Sequence, residues 1–205
     1  AYHGLDDRHL MERFNDVLHA ATPAFHEERS EAPKSGGGKR VGIFSTFFNA
    51  HTVLRYTQGL IRSMAGRADI ELLALSPPTL PPAARGHLEK LGAKVVPVGG
   101  DYPLAVRQIR ALHLDVLIFA DIGMEPLSGA LAHTDLAGRQ IALSGHPVTT
   151  GIRRLNGYVT CPGFEPDGFP AQYTEPLIRA AFWPLGYARA TSDPEALPKP
   201  DRDNT

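Results

Sequence analysis

The hydrophobic rhythm of this chain changes twice along its length. Between Leu5 and Ala21, apolar residues recur at helical spacing. Leu10, Phe14, Val17, Leu18 and Ala21 fall on one face. Asp6 or Asp7 can cap the start, and Pro23 stands just past the end. One amphipathic helix cannot bury its stripe alone. The pattern therefore predicts that the stripe docks on the domain that follows or on material upstream. Residues 26–39, HEERSEAPKSGGGK, lose all periodicity and read as a flexible linker. Its three glycines are not a phosphate loop, because they precede a strand and lack the G-x-x-x-x-G-K-[ST] spacing.

From Arg40 onward, short apolar runs alternate with helical patterns. RVGIFST, DIELLALS, KVVPVGG, DVLIFAD, RQIALSG and NGYVTC read as six strands. HTVLRYTQGLIRSMAG, PAARGHLEKLGA, PLAVRQIRALHL and MEPLSGALAHTDLAG read as the helices between the first five. Near-continuous apolar strands such as VLIFA suit a sheet covered on both faces. The fold class is α/β: a Rossmann-like, doubly wound, mostly parallel sheet with a leading helix. The expected units are a leading helix at 1–25, a linker at 26–39, the Rossmann-like domain at 40–187 and a loose tail at 188–205. Near the end of that domain a short apolar segment surrounds Trp183.

Composition narrows the function classes. An apolar fraction of 42% supports an ordinary core. A formal net charge of −1 gives no global reason to bind nucleic acid or an anionic membrane. The single cysteine, Cys161, excludes an internal disulfide and points to a cytoplasmic location. No apolar run is long enough to span a bilayer. The first strand is not followed by G-x-G-x-x-G, which argues against an ordinary dinucleotide site. The histidines show no shared metal spacing, so no metal is expected.

In open α/β sheets, ligands bind outside the carboxyl ends of the strands. The polar residues there are the candidates. His51 follows the first strand, with Arg55 four residues on. Asp121, Gly123, Met124 and Glu125 follow the fourth. His146, Thr149 and Thr150 follow the fifth, in SGHPVTTG. Pro147 biases His146 to an extended shape, and Gly145 and Gly151 permit a tight bend. Hydroxyls at such a bend suit hydrogen bonds to a sugar or phosphate. His51 and Arg55 read either as substrate contacts or as a capping loop with a solvent-facing arginine. Glu125 reads first as a helix cap.

The string DVLIFADIGMEPLSGALAHTDLAGRQIALSGHPVTTG resembles the O-GlcNAc-transferase-like family of protein glycosyltransferases, and most closely its HMW1C-like protein N-glucosyltransferase branch. FSTFFNAHTVLRY and QYTEPLIRAAFWPLGY resemble two further segments of that family. The resemblance runs from about Arg40 to Tyr187. It implies the N-terminal half of a two-domain GT-B fold. It also implies transfer of a hexose from a nucleotide sugar, UDP-linked, to a protein side chain, without a metal or other cofactor. The resemblance places His51, as the candidate catalytic group, and His146 at the cleft. Gly123 and Met124 would line the same edge, with Arg55 a looser match. The acceptor would be a protein or peptide. A second GT-B domain, in cis or in trans, would be needed for activity. Gly138-Arg139 stands where the family carries Ala-Pro, and Asn156 where it carries a carboxylate. Those departures fit the alternative of a non-catalytic binding or interaction module derived from the family.

Overall fold

The computed structural model describes residues 6–27, 38–49, 51–143, 148–161, 163 and 169–180. Its centre is a seven-stranded sheet. The strands are β1 (Lys39–Phe44), β2 (Ile70–Ser76), β3 (Lys94–Pro97), β4 (Leu114–Phe119), β5 (Ala137–Leu143), β6 (Gly157–Thr160) and β7 (Leu177–Arg179). Their order is β3-β2-β1-β4-β5-β6-β7, and every pair is parallel. The chain moves outward from β1 to β3, then crosses back to β4 and moves outward the other way. The strand order therefore reverses between β1 and β4, the place where such sheets open a crevice.

Both faces are covered, which explains the unbroken apolar strands. Helices α2 (Thr52–Ala65) and α3 (Pro82–Lys90) cover one face. Val53, Ile61 and Leu88 pack there on Ile43, Leu72 and Ala74. Helices α4 (Tyr102–Arg110) and α5 (Pro126–Ala132) cover the other. Ala105, Ile109 and Leu131 pack there on Phe44, Leu117 and Phe119. A fully buried Leu or Phe contributes roughly 1.5–3 kcal/mol, so these two layers dominate the stability. Asp101 starts α4 by accepting from the Leu104 N–H at 2.9 Å, and Glu125 starts α5 by accepting from Ser128 N–H at 3.0 Å. Glu125 is thus the helix cap its position suggests.

Three sequence expectations change. The helix expected over residues 124–138 ends at Ala132, and β5 begins at Ala137. The Gln140 side chain explains the break. It accepts from Leu136 N–H at 2.8 Å and donates to the Ala132 carbonyl at 3.3 Å, so it takes backbone groups a longer helix would use. A seventh strand, β7, lies in QYTEPLIRAAFWPLGY, where the sequence pattern predicts none. The third concerns α1 (Arg8–Ala21). Of the two seats the sequence allows its apolar stripe, the domain is not the main one, and only Phe14 and Leu18 edge a cavity there. Leu10 and Val17 are each 69% exposed and Phe14 61%, whereas Glu12 and Asn15 are buried. The polar face is the one that docks, because it meets hydrogen-bonding groups on the domain. Arg8 donates to the Ala171 carbonyl at 2.8 Å. Glu12 accepts from the Thr174 hydroxyl at 3.0 Å. Asp16 takes the Arg153 guanidinium at 3.1 and 3.2 Å. A 3-10 turn, Pro23–His26, follows α1 and buries Phe25.

Candidate functional site at the carboxyl edge of the sheet

The carboxyl ends of β1, β4 and β5 are organised around two buried carboxylates. Asp121 follows β4 and has no solvent exposure. It accepts from Ser45 Oγ at 3.0 Å, Thr46 N–H at 2.8 Å, Thr46 Oγ1 at 3.1 Å and Ser128 Oγ at 2.5 Å. Burial pushes its carboxyl above the ordinary aspartate range, and these donors pull against that rise. The side chain ties β1, β4 and α5 together at the reversal point. It does not reach the cavity described below.

The second carboxylate is Glu175, 4% exposed, just before β7. Thr149 Oγ1 donates to its Oε2 at 2.6 Å, and Thr150 N–H donates to Oε1 at 2.8 Å. The Thr150 hydroxyl also donates to Oε1. Thr149 Oγ1 in turn accepts from Gly151 N–H at 3.2 Å and Thr174 N–H at 3.0 Å. Thr150 Oγ1 accepts from Ile152 N–H at 3.1 Å. Both hydroxyls are therefore turned inward and used to shape the loop after β5.

Residues 148–152, the β4–α5 loop and α1 line a half-open cavity of about 760 Å³, a size suited to a small ligand or a side chain. Gly123 and Met124 line one side, and Thr149 and Thr150 another. Gly123 has φ +87°, a conformation glycine adopts without strain, and this lets the chain turn from β4 to α5 at the rim. Met11, Phe14, Asn15 and Leu18 form the wall contributed by α1. Gly151 carries the close approach between loop and helix. Its φ is +72°, and a Cβ there would lie 2.5 Å from the Met11 carbonyl carbon. The lining is mainly apolar, with Ile122, Leu143, Val148 and Ile152 completing it.

Asn15 orders the polar end. Its Nδ2 donates to the Met11 and Thr150 carbonyls, each at 2.8 Å. Its Oδ1 is then left to accept from His133 Nε2 at 2.9 Å, so the neutral imidazole carries its proton on Nε2. Burial holds the His133 pKa down at about 4.

The sequence-derived residues thus divide into groups. Gly123, Met124, Thr149 and Thr150 share the cavity. Asp121 stands behind it. His51 and Arg55 lie at the start of α2 and do not line it. His51 caps α2, its Nδ1 accepting from Val53 N–H at 3.3 Å, and its ring packs 4.7 Å from Phe47. Arg55 is exposed. His146 lies outside the described residues. Glu175, Asn15 and His133 are absent from the sequence-derived set. The polar row Arg8, Glu12, Asn15, Asp16 and His19 repeats at helical spacing, opposite the apolar stripe, and is the signal that marks Asn15.

No protein-family model and no curated protein matches the sequence. Among solved structures, a mutant of the Thermobaculum terrenum O-GlcNAc transferase superposes with a TM-score of 0.68 at 20% identity. The match covers 87% of this chain and 34% of that one, so this chain spans about a third of the transferase's length. The two share a fold. It is a Rossmann-like α/β fold, and the crevice at its β1/β4 reversal is where this fold presents ligands. Among the described residues no group of three His, Cys, Asp or Glu could hold a metal. Among them, too, no helix is long and apolar enough to cross a membrane.

Proposed function

We propose that this chain is the acceptor-side, N-terminal lobe of a two-domain glycosyltransferase of the HMW1C-like type. The reaction is transfer of a hexose from a nucleotide sugar, UDP-linked, to a protein side chain in the cytoplasm. The observation that carries the reading is the shared fold with an O-GlcNAc transferase, combined with a cavity at the carboxyl edge of the sheet. The G-M and T-T pairs that motivated the reading line that cavity together. An acceptor N–H or O–H attacks the sugar's anomeric carbon, the bond from that carbon to the diphosphate oxygen breaks, and the acceptor proton passes to the leaving diphosphate or to solvent. Catalysis then requires close positioning of the acceptor and stabilisation of the leaving diphosphate. No metal is required for that step in this reading. A second lobe, in cis or in trans, supplies the nucleotide contacts.

The geometry of His51 favours binding over base catalysis. Its Nδ1 is the acceptor in the helix cap, so the neutral ring carries a proton on Nε2. That nitrogen can donate to a phosphate or sugar oxygen. Accepting a proton there would require the other tautomer and would break the cap. His51→Asn keeps a good cap and removes the Nε2 donor. In a UDP-hexose transfer assay with the second lobe present, this variant should lose about 10–100-fold in kcat/KM, the range for one hydrogen bond to a charged group. The pH profile should keep its shape. A lost acidic limb would make His51 the base instead.

A second reading has one observation behind it. The Thr149 and Thr150 hydroxyls are committed to Glu175 and are not turned toward a sugar. This suits a non-catalytic binding or interaction module. Absence of both UDP-hexose hydrolysis and transfer, with the second lobe supplied, would decide for it.

A further inference from the structure

Three imidazoles and a phenyl ring meet where α1, the 3-10 turn and α5 come together. His133, at the C-terminal end of α5, is 4% exposed and lies flat on Phe25, with ring centroids 4.8 Å apart and planes within 2°. His19, in the last turn of α1, sits 5.8 Å from the His133 ring and 4.4 Å from the His26 ring. His26 Nε2 donates to the His19 carbonyl at 3.1 Å. This cluster continues the Asn15–His133 bond along the same side of α1. The helix and Phe25 together form one wall of the cavity.

We infer that α1 and the turn after it are an acid-released strap over the cavity, latched by the imidazoles of His19 and His133. The strap is held by polar contacts: Arg8, Glu12, Asn15 and Asp16 make its hydrogen bonds to the domain. Most of the apolar face of α1 looks outward, so Phe25 is the main apolar group whose burial opposes release.

The charges around the cluster set the direction. Burial lowers the His133 pKa to about 4, and His19 and Arg154 push the same way. Burial also lowers His19, followed by His26 and Arg154. Asp16 opposes this at His19, but its carboxylate is already engaged by Arg153. From α4, Tyr102 meets the edge of Phe25, and Arg110 is paired with Glu27 at 3.5 Å. A histidine whose docked pKa is lowered binds best when neutral. Docking is therefore at full strength above the ordinary value of 6.5. It weakens about tenfold per pH unit per proton as the pH falls toward 4. Glu12 and Asp16 are lowered carboxylates, chiefly through Arg8 and Arg153 respectively. Their contribution is present above their ordinary values of 4.5 and 3.8 and is lost below. The window between 6.5 and 4.5 belongs to the histidines.

Amide hydrogen exchange on the full chain, corrected for intrinsic pH dependence, tests the strap. Between pH 6.5 and 5, α1 should lose at least about tenfold in protection relative to β4. Anilinonaphthalene sulfonate emission should rise over the same range as the cavity opens, with far-UV circular dichroism unchanged. His133→Phe keeps a flat ring on Phe25 and takes up no proton, and His19→Gln removes the second site independently. Either variant that folds should flatten the pH response. Protection of α1 that follows β4 throughout would overturn the proposal. So would an unchanged pH response in the variants.

Discussion

Glu175 shows how one side chain can shape a site it does not enter. Its two oxygens collect three donors from Thr149 and Thr150, and Thr149 Oγ1 receives two backbone donors from behind. Only a carboxylate suits this pattern. In Glu175→Gln, an NH₂ would face a hydroxyl oxygen that already accepts twice. The change should lower stability by about 1–3 kcal/mol, the price of leaving buried polar groups mismatched. Chemical denaturation measures it. Such a residue is hard to foresee, because a lone carboxylate belongs to no periodic pattern, although Glu175 lies within the family-like segment QYTEPLIRAAFWPLGY. His51 is the opposite case. Its position after the first strand is legible, and so is its choice between capping and substrate contact. Only the direction of its ring shows that the cap uses Nδ1.

At the scale of elements, legibility follows burial. The strands of this sheet are covered on both faces, so their apolar runs announce them. The helices over them carry regular apolar faces. Elements held by polar contacts are less visible. Pattern arguments follow apolar residues, and α1 turns those outward while docking through Arg8, Glu12, Asn15 and Asp16. β7 escapes notice for another reason: its three residues are too few to show a period. The orientation of α1 makes a prediction that the apolar stripe alone would contradict. The double substitution Leu10→Glu and Val17→Glu should change the unfolding free energy of this chain by no more than about 0.5 kcal/mol per site, as at other exposed positions. Asn15→Leu is a useful contrast, since it would strand the Thr150 carbonyl and the His133 N–H. A marked loss from the double substitution would show that the stripe is covered.

At the scale of the whole molecule, the sheet is two runs of strands joined at the β1/β4 reversal, and Asp121 bridges the join. It bonds to Ser45 and Thr46 after β1 and to Ser128 on α5. Asp121→Ala would leave these donors unsatisfied in the interior. It should lower global stability by on the order of 3 kcal/mol. In denaturant this appears as a lower midpoint at unchanged slope, because the surface exposed on unfolding is the same. The doubly wound architecture itself is readable from alternating strands and helices, since a parallel sheet needs crossovers. The wall that α1 gives the cavity is not. It depends on Gly151 letting the loop approach the Met11 backbone, and close approach leaves no trace in hydrophobic spacing.

The docking of α1 has a consequence for synthesis on the ribosome. Its partners lie far ahead in the chain: Asn15 to Thr150 spans 135 residues and Arg8 to Ala171 spans 163. At roughly 5–20 residues per second, those partners emerge on the order of ten seconds after the helix. Throughout that interval α1 has no polar seat, while its apolar face is already displayed. Helix α1 is thus made well before the groups that seat it. During that wait, chaperones have an accessible apolar segment to hold.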